Sequence, residues 1–153
     1  MANAFETQSP LTLNGTIQPS LIQDPDINPT TILKSTDPFK ILVNWNVNGN
    51  ALTVMGGNFN INAFFENLGV DAGGGPQDAQ FGPVVVNVTS GVGPGNNKNY
   101  QAQINVPAGA LKAGAYDMVC LLTYTNLFGL PGNIAAYTDE IVVQIYNPNP
   151  LLP

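Results

Sequence analysis

The stretch FKILVNWNV at residues 39–47 decides the fold, because its apolar and polar residues alternate. The odd-numbered positions are all apolar, and the even-numbered positions are polar except Leu42. A period of two is the pattern of a β-strand with one buried and one outward face. The stretch therefore predicts a half-buried strand that carries Trp45 in phase with core residues.

Five further stretches repeat this period or carry runs of β-forming residues. They are residues 58–65, 84–89, 100–106, 116–124 and 141–145. The stretch 116–124 is apolar on both faces, which is typical of a central strand. Turns rich in glycine and proline separate the stretches, and no segment has the pattern of a ten-residue amphipathic helix. This order predicts an all-β fold, an antiparallel β-sandwich of about seven to eight strands.

The chain of 153 residues is long enough to bury one sizeable core, so a single domain is expected. Residues 1–31 carry four prolines among short apolar pairs, which predicts an irregular arm that packs on the domain or on a neighbour. Residues 32–147 form the predicted sandwich. Residues 148–153 predict a proline-rich tail with a polyproline-like conformation.

The segment LKAGAY at residues 111–116 resembles the Leu-x-x-Gly-x-Tyr corner of immunoglobulin-like and fibronectin-type domains. The resemblance covers these six residues and the strand order, so it concerns the fold and no specific family. It implies that the hydroxyl of Tyr116 bonds the backbone a few residues upstream. Tyr116, Gly114 and the core residue Trp45 are therefore expected to have structural roles. Cys120 follows the tyrosine by four residues, where an antibody domain has its cysteine after two.

Charge excludes several functional classes. The chain has four lysines, no arginine and ten acidic residues, with a net charge of −6. Nucleic-acid binding requires phosphate-neutralising cations grouped on one face, so it is not expected.

No apolar stretch reaches the length of a membrane span, and the first residues lack the pattern of a secretory signal. The compartment is undetermined, either cytoplasmic or reached by non-classical export.

The residue types needed for common catalytic sites are scarce. The chain has no histidine, which removes the Ser/His/Asp and Cys/His arrangements. Cys120 has no disulfide partner within the chain and is predicted to be a small core residue. A mechanism based on paired carboxylates stays formally open through a set of five acidic residues. They are Glu66, Asp71, Asp78, Asp139 and Glu140. We expect a non-enzymatic protein with no catalytic residues.

Calcium is the one cofactor that the acidic loops leave open, since carboxylates and carbonyls are its preferred ligands. The candidates are Asp24 to Asp26 and the loop from Asp71 to Asp78. Neither has the ordered spacing of an EF-hand, and aspartate beside proline or glycine is first a turn former. No metal-binding residues are therefore predicted.

Asparagine recurs at alternate positions on two successive predicted strands, although it is disfavoured in strands. The positions are Asn44, Asn46, Asn48, Asn58, Asn60 and Asn62. One interpretation is solubility without charge. The other is a flat array of amides, centred on Asn44, Asn46, Asn60 and Asn62, that binds sugar hydroxyls or another subunit.

The predicted loop at 126–132 contains three large apolar residues, Leu127, Phe128 and Leu130. Exposed apolar clusters mark contact sites, so this loop is either a binding element or folds back over the end of the domain. With an immunoglobulin-like order, the turn at 48–57 lies at the same end and forms one binding edge with it.

Several apolar residues are predicted to face outward on otherwise polar strand faces. They are Leu42, Phe64, Val119, Leu121 and Val142. A monomer should cover such a patch, which predicts a homo-oligomer or a module within an assembly. The expected function is a structural or interaction module that acts through protein–protein contacts. The alternative is a carbohydrate-binding, lectin-like sandwich, with calcium as a conceivable aid.

Overall fold

The computed structural model describes residues 3–4, 6–7, 13–69 and 75–149, and these residues form mostly strands. The strands are β1 (Asn3–Ala4), β2 (Glu6–Thr7), β3 (Asn14–Gln23), β4 (Ile32–Lys34), β5 (Phe39–Asn48), β6 (Asn58–Asn67), β7 (Ala79–Asn87), β8 (Asn97–Val106), β9 (Gly114–Thr125), β10 (Pro131–Tyr137) and β11 (Ile141–Tyr146). Short 3-10 turns occur at Asn50–Val54 and Val88–Ser90. The all-β prediction is confirmed.

The strands form two sheets. The first sheet has the order β1-β3-β5-β8, and the second has the order β2-β10-β9-β11-β4 with β6 and β7 also attached to β9. One edge of β9 pairs with β6 along ten residues, while its other edge is shared by β11 and β10. The second sheet curls into a half-barrel rather than a flat layer.

The core lies between the two sheets and is built from the alternating residues of their inner faces. An aromatic cluster at one end combines Trp45 from β5, Phe59 from β6 and Tyr100 from β8. The Trp45 and Tyr100 rings stack with centroids 5.4 Å apart, and Phe59 meets Tyr100 edge-on at 5.0 Å. All three side chains are buried, so Trp45 is the core residue that the period of two predicts.

The prediction of an irregular arm at 1–31 is wrong over residues 14–23, which form the ten-residue strand β3. This strand pairs in unbroken register with β5, and over residues 14–19 its buried residues alternate with exposed ones. Pro19 is tolerated because β1 pairs only with Thr16 and Ile17, which leaves Pro19 at an edge where the described residues add no further strand. Pro19 is therefore compatible with an edge strand.

Two further features depart from the sequence-based expectation. Strand β10 begins at Pro131, inside the segment predicted as a loop, and β4 pairs in parallel with β11. The parallel pair shows that the sheets are not wholly antiparallel. Strand β4 has three residues, too few for a period of two to be recognised.

Strands β10 and β11 run along the same edge of β9 and are separated by a short connection that begins at Thr138. The backbone N–H of Thr138 donates to the carbonyl of Cys120 at 3.0 Å. Its hydroxyl oxygen accepts from the N–H of Cys120 at 2.9 Å. The threonine side chain thus replaces a backbone acceptor in the ladder, which satisfies a polar side chain that is completely buried.

Some of the sequence-based expectations lie outside the described residues. These are residues 1–2, 5 and 8–12 of the predicted arm, residues 70–74 of the acidic loop, and residues 150–153 of the predicted tail.

The corner at residues 111–116 has the hydrogen bond that the sequence resemblance implies. The hydroxyl of Tyr116 donates to the carbonyl of Lys112 at 2.6 Å, and the Tyr116 ring is fully buried. A Cβ at Gly114 would lie 3.0 Å from the ring of Pro76, so a larger residue would crowd this corner. The bond fixes the chain where it enters β9.

Replacing Tyr116 with phenylalanine is expected to lower the free energy of unfolding by about 1 kcal/mol, since one hydrogen bond is lost and the ring is kept. The matched control is Tyr146→Phe, because the Tyr146 side chain is partly exposed. Urea unfolding followed by fluorescence measures both variants. Equal midpoints for the two variants would contradict the structural role of the Tyr116 hydroxyl.

Candidate functional site

The hairpin connection at residues 126–130, here called the apolar loop, joins β9 to β10 and presents large apolar side chains to solvent. The side chains of Leu127, Phe128 and Leu130 are 75%, 88% and 59% exposed. Isolated exposed apolar residues are ordinary, but three within four positions on a loop tip are not. The structure therefore gives these residues the exposure that a contact site requires.

Hydrogen bonds hold the backbone of the apolar loop in one conformation. The side-chain oxygen of Asn126 accepts from the N–H of Phe128 at 2.9 Å and from the N–H of Leu130 at 3.1 Å. The N–H of Asn126 donates to the carbonyl of Leu130 at 2.9 Å. Gly129 has a φ of +76°, a left-handed conformation that favours glycine. The exposed side chains thus stand on an ordered support.

The turn at residues 49–57, between β5 and β6, lies directly against the apolar loop. A Cβ at Gly56 would lie 2.7 Å from the side chain of Leu127, and the hydroxyl of Tyr124 donates to the carbonyl of Gly56. Val54, in the same turn, is 74% exposed. We call the surface made by Val54, Leu127, Phe128 and Leu130 the apolar edge.

The Leu127 side chain lies beside Gly56 of the neighbouring turn but stays largely exposed, and the Phe128 side chain projects into solvent. The sequence analysis did not single out Val54. Val54 belongs to the apolar edge through Gly56, two residues further along the same turn, which lies against Leu127.

The six asparagines do not form one array, so the prediction of a single flat amide surface is wrong. Strands β5 and β6 are consecutive in the chain but belong to different sheets, so the connection between them passes from one sheet to the other. Asn44, Asn46 and Asn48 lie on the outer face of the first sheet. Asn60 and Asn62 lie on the second sheet, where Asn60 donates to the Thr125 hydroxyl at 2.8 Å.

Four of the five outward apolar residues share one face. Phe64 and Val119 are directly opposite each other on β6 and β9 of the second sheet, and Leu121 and Val142 lie on neighbouring positions of the same sheet. Leu42 is separated from them, since β5 belongs to the first sheet, where Leu42 lies between Ser20 and Gln103. The predicted patch therefore lacks Leu42.

A shallow groove of about 460 Å³ on this face combines apolar and acidic residues. Its lining includes Phe64 and Val119 together with four carboxylates. These are Glu66, Asp78, Asp117 and Glu140. Asp117 was not found by sequence analysis, because its position opposite Glu66 depends on the register of β6 and β9.

The carboxylates do not form a metal centre in the described part of the chain, where no three His, Cys, Asp or Glu residues are placed to hold an ion. Asp78 instead accepts a hydrogen bond from the backbone N–H of Asn67 at 2.8 Å, which joins the segment before β7 to the end of β6. Asp71 lies outside the described residues.

The thiol of Cys120 is not placed for chemistry. Its side chain is completely buried in β9, and burial raises its pKa to about 12. A thiolate is the reactive form of cysteine, so this side chain is unreactive in the folded protein near neutral pH. Cys120 is a core residue, in phase with Met118 and Leu122.

Comparisons with known proteins do not assign the chain to a family. No family model matches the chain, and no curated protein matches its sequence. One solved structure with similarity to the chain is titled "Crystal Structure of the Putative ApaA Protein from Bordetella pertussis". It has 12% sequence identity and a TM-score of 0.38, covering 89% of this chain and 95% of that chain. Within the described residues, no helix is long and apolar enough to span a membrane.

Proposed function

We propose that the protein is a non-enzymatic interaction module that associates with a second copy of itself through the apolar edge. The observation that carries the proposal is the exposure of Leu127, Phe128 and Leu130 on a loop whose backbone is fixed by Asn126. A preformed loop loses little conformational entropy on binding, so more of the contact energy appears as affinity.

The size of the edge sets the expected strength of association. Burying one large apolar side chain contributes about 1.5–3 kcal/mol, so the three side chains of the loop contribute about 5–9 kcal/mol. Association itself costs about 4–15 kcal/mol in lost translational and rotational freedom. At the most favourable ends of the two ranges the net gain is about 5 kcal/mol, so we expect a weak homo-oligomer with a dissociation constant of about 0.2 mM or higher.

We further propose that the two sheets are arranged as an immunoglobulin-like sandwich. Support comes from the pairing of β6 with β9, the bond from Tyr116 to Lys112, and the adjacency of the turn at 49–57 to the apolar loop. In immunoglobulin variable domains, the corresponding connections cluster at one end and bind the ligand.

The non-enzymatic role is supported by the absence of histidine from the chain and by the buried thiol of Cys120.

Replacing Phe128 with serine is expected to weaken self-association at least about tenfold, since it removes the most exposed apolar side chain of the edge. Sedimentation equilibrium over a range of concentrations measures the effect. The free energy of unfolding should change by less than about 0.5 kcal/mol, because the side chain has almost no intramolecular burial to lose.

The matched control is Ile27→Ser. Ile27 is 83% exposed and lies in the connection between β3 and β4, at the opposite end of β5 from the apolar edge. This variant should associate like the wild type. A wild-type protein that stays monomeric at every concentration, or equal weakening by the two substitutions, would refute the proposed function.

A further inference from the structure

The outer face of the first sheet presents uncharged amides in aligned rows. Strands β5 and β8 pair in unbroken register over ten residues. Three successive outward-facing pairs are Asn48 with Asn97, Asn46 with Asn99, and Asn44 with Gln101. These six residues are here called the amide face. Asparagine and glutamine side chains each carry both hydrogen-bond donors and acceptors.

The amides are held in position by hydrogen bonds to one another. The side-chain nitrogen of Asn46 donates to the side-chain oxygens of Asn97 at 2.8 Å and Asn99 at 2.9 Å. The side-chain nitrogen of Gln101 donates to the oxygen of Asn44 at 3.0 Å. An amide can make four hydrogen bonds, so each retains capacity for a ligand after these lateral bonds form.

A groove of about 320 Å³ runs along one border of the amide face. Asn44, Asn99 and Gln101 supply its polar side, while Val92 and the ring of Tyr100 belong to its lining as well. Two backbone hydrogen bonds of 2.9 Å join Val92 to Asn99, which fixes the connection at 91–96 against β8. The groove therefore combines ordered amides with an apolar wall, and its lining contains no charged side chain.

From this chemistry we infer that the groove binds a neutral oligosaccharide. Sugar hydroxyls both donate and accept hydrogen bonds, as the side chains of Asn44, Asn99 and Gln101 do. The C–H faces of a sugar ring are apolar and fit against Val92. The volume lies at the lower end of the range of small-ligand sites, which suits one or two sugar units. Anionic glycans are disfavoured, because the lining offers no cation.

The site is separate from the apolar edge in residues and in chemistry. Its ligand makes directional hydrogen bonds to β5 and β8 rather than apolar contacts with the loop at 126–130. Binding should therefore be insensitive to salt, as expected when neither partner is charged at the contact. The Phe128→Ser variant should bind the glycan like the wild type, so this inference and the proposed self-association are tested independently.

The test measures retention of the wild-type protein on insoluble cellulose, chitin and starch, followed by calorimetry with soluble oligosaccharides of the retained polymer. The double variant Asn44→Ala with Gln101→Ala removes two of the three amides and is expected to lose affinity about tenfold or more. The matched control is Gln103→Ala with Asn105→Ala. These two side chains form a lateral pair in β8 outside the groove, with a bond of 2.7 Å between them.

The expected result is retention of the wild type and of the control, with loss in the groove variant and with unchanged thermal unfolding in all three. Retention that is equal at low and high salt supports the neutral chemistry. No retention of the wild type on any neutral polymer would overturn the inference. Equal loss in the groove and control variants, or preferential binding to an anionic polysaccharide, would also overturn it.

Discussion

Replacing Phe59 with alanine is expected to lower the free energy of unfolding by about 3–5 kcal/mol. The Phe59 side chain is completely buried between the sheets. Its ring centroid lies 5.8 Å from that of Trp45, 5.0 Å from that of Tyr100 and 6.1 Å from that of Tyr124. The substitution removes a large buried apolar group and leaves a cavity among three rings that cannot collapse without losing their own contacts.

Urea unfolding followed by tryptophan fluorescence measures this loss, since Trp45 is the sole tryptophan of the chain and packs on Phe59. The matched control is Phe128→Ala, which truncates the same type of side chain in solvent and should change stability by less than about 0.5 kcal/mol. Since small domains have total stabilities of about 5–15 kcal/mol, the Phe59 variant should lose a large fraction of its stability. Similar losses in the two variants would contradict the description of the core.

Replacing Gly57 with alanine is expected to cost about 2–5 kcal/mol, because steric overlap adds to backbone strain. Gly57 has a φ of +93°, and a Cβ at this position would overlap the carbonyl oxygen of Thr125. That neighbour is backbone, so it cannot rotate away. The carbonyl of Gly57 also accepts from the N–H of Val88 at 3.0 Å, which ties the turn to a second connection.

The matched control for Gly57 is Gly95→Ala. The nearest heavy atom to a Cβ at Gly95 is a methyl carbon of Thr53 at 3.9 Å, so the added group has room. Calorimetric unfolding should show a clear loss for Gly57→Ala and almost no change for Gly95→Ala. An unchanged melting temperature for the Gly57 variant would show that the turn at 49–57 and β9 are not packed as closely as described.

The alternation of apolar and polar residues identifies strands where it is regular. It misses strands where proline or glycine interrupts it. Strands β5, β6, β8 and β9 were identified because one apolar face is continuous along each of them. Strand β3 was missed since Pro19 suggests an irregular segment, although a proline at a sheet edge is compatible with a strand. Strand β10 was missed because Pro131 and Gly132 at its start have the composition of a turn.

The candidate sites depend on which strands share a sheet, and the alternation of residues along one strand does not contain this information. Alternation tells which side of a strand faces the core, but it does not tell which sheet the strand joins. Asn44 and Asn60 were therefore predicted to share one amide surface, although they lie in different sheets. The exposure of Phe128 was predictable from three apolar residues among turn formers. The groove beside Asn99 was not, since it depends on how the connection carrying Val92 folds back onto β8.

The parallel pairing of β4 with β11 affects the order in which the protein folds. It joins Ile32 to Gln144, two residues that are far apart in the chain. Contacts between such distant residues form late, because the intervening chain must first be confined. Until β4 docks, the outer edge of β11 stays unpaired and is open to intermolecular strand addition. The lifetime of this intermediate, more than native stability, then sets how much protein is recovered by dilution from denaturant.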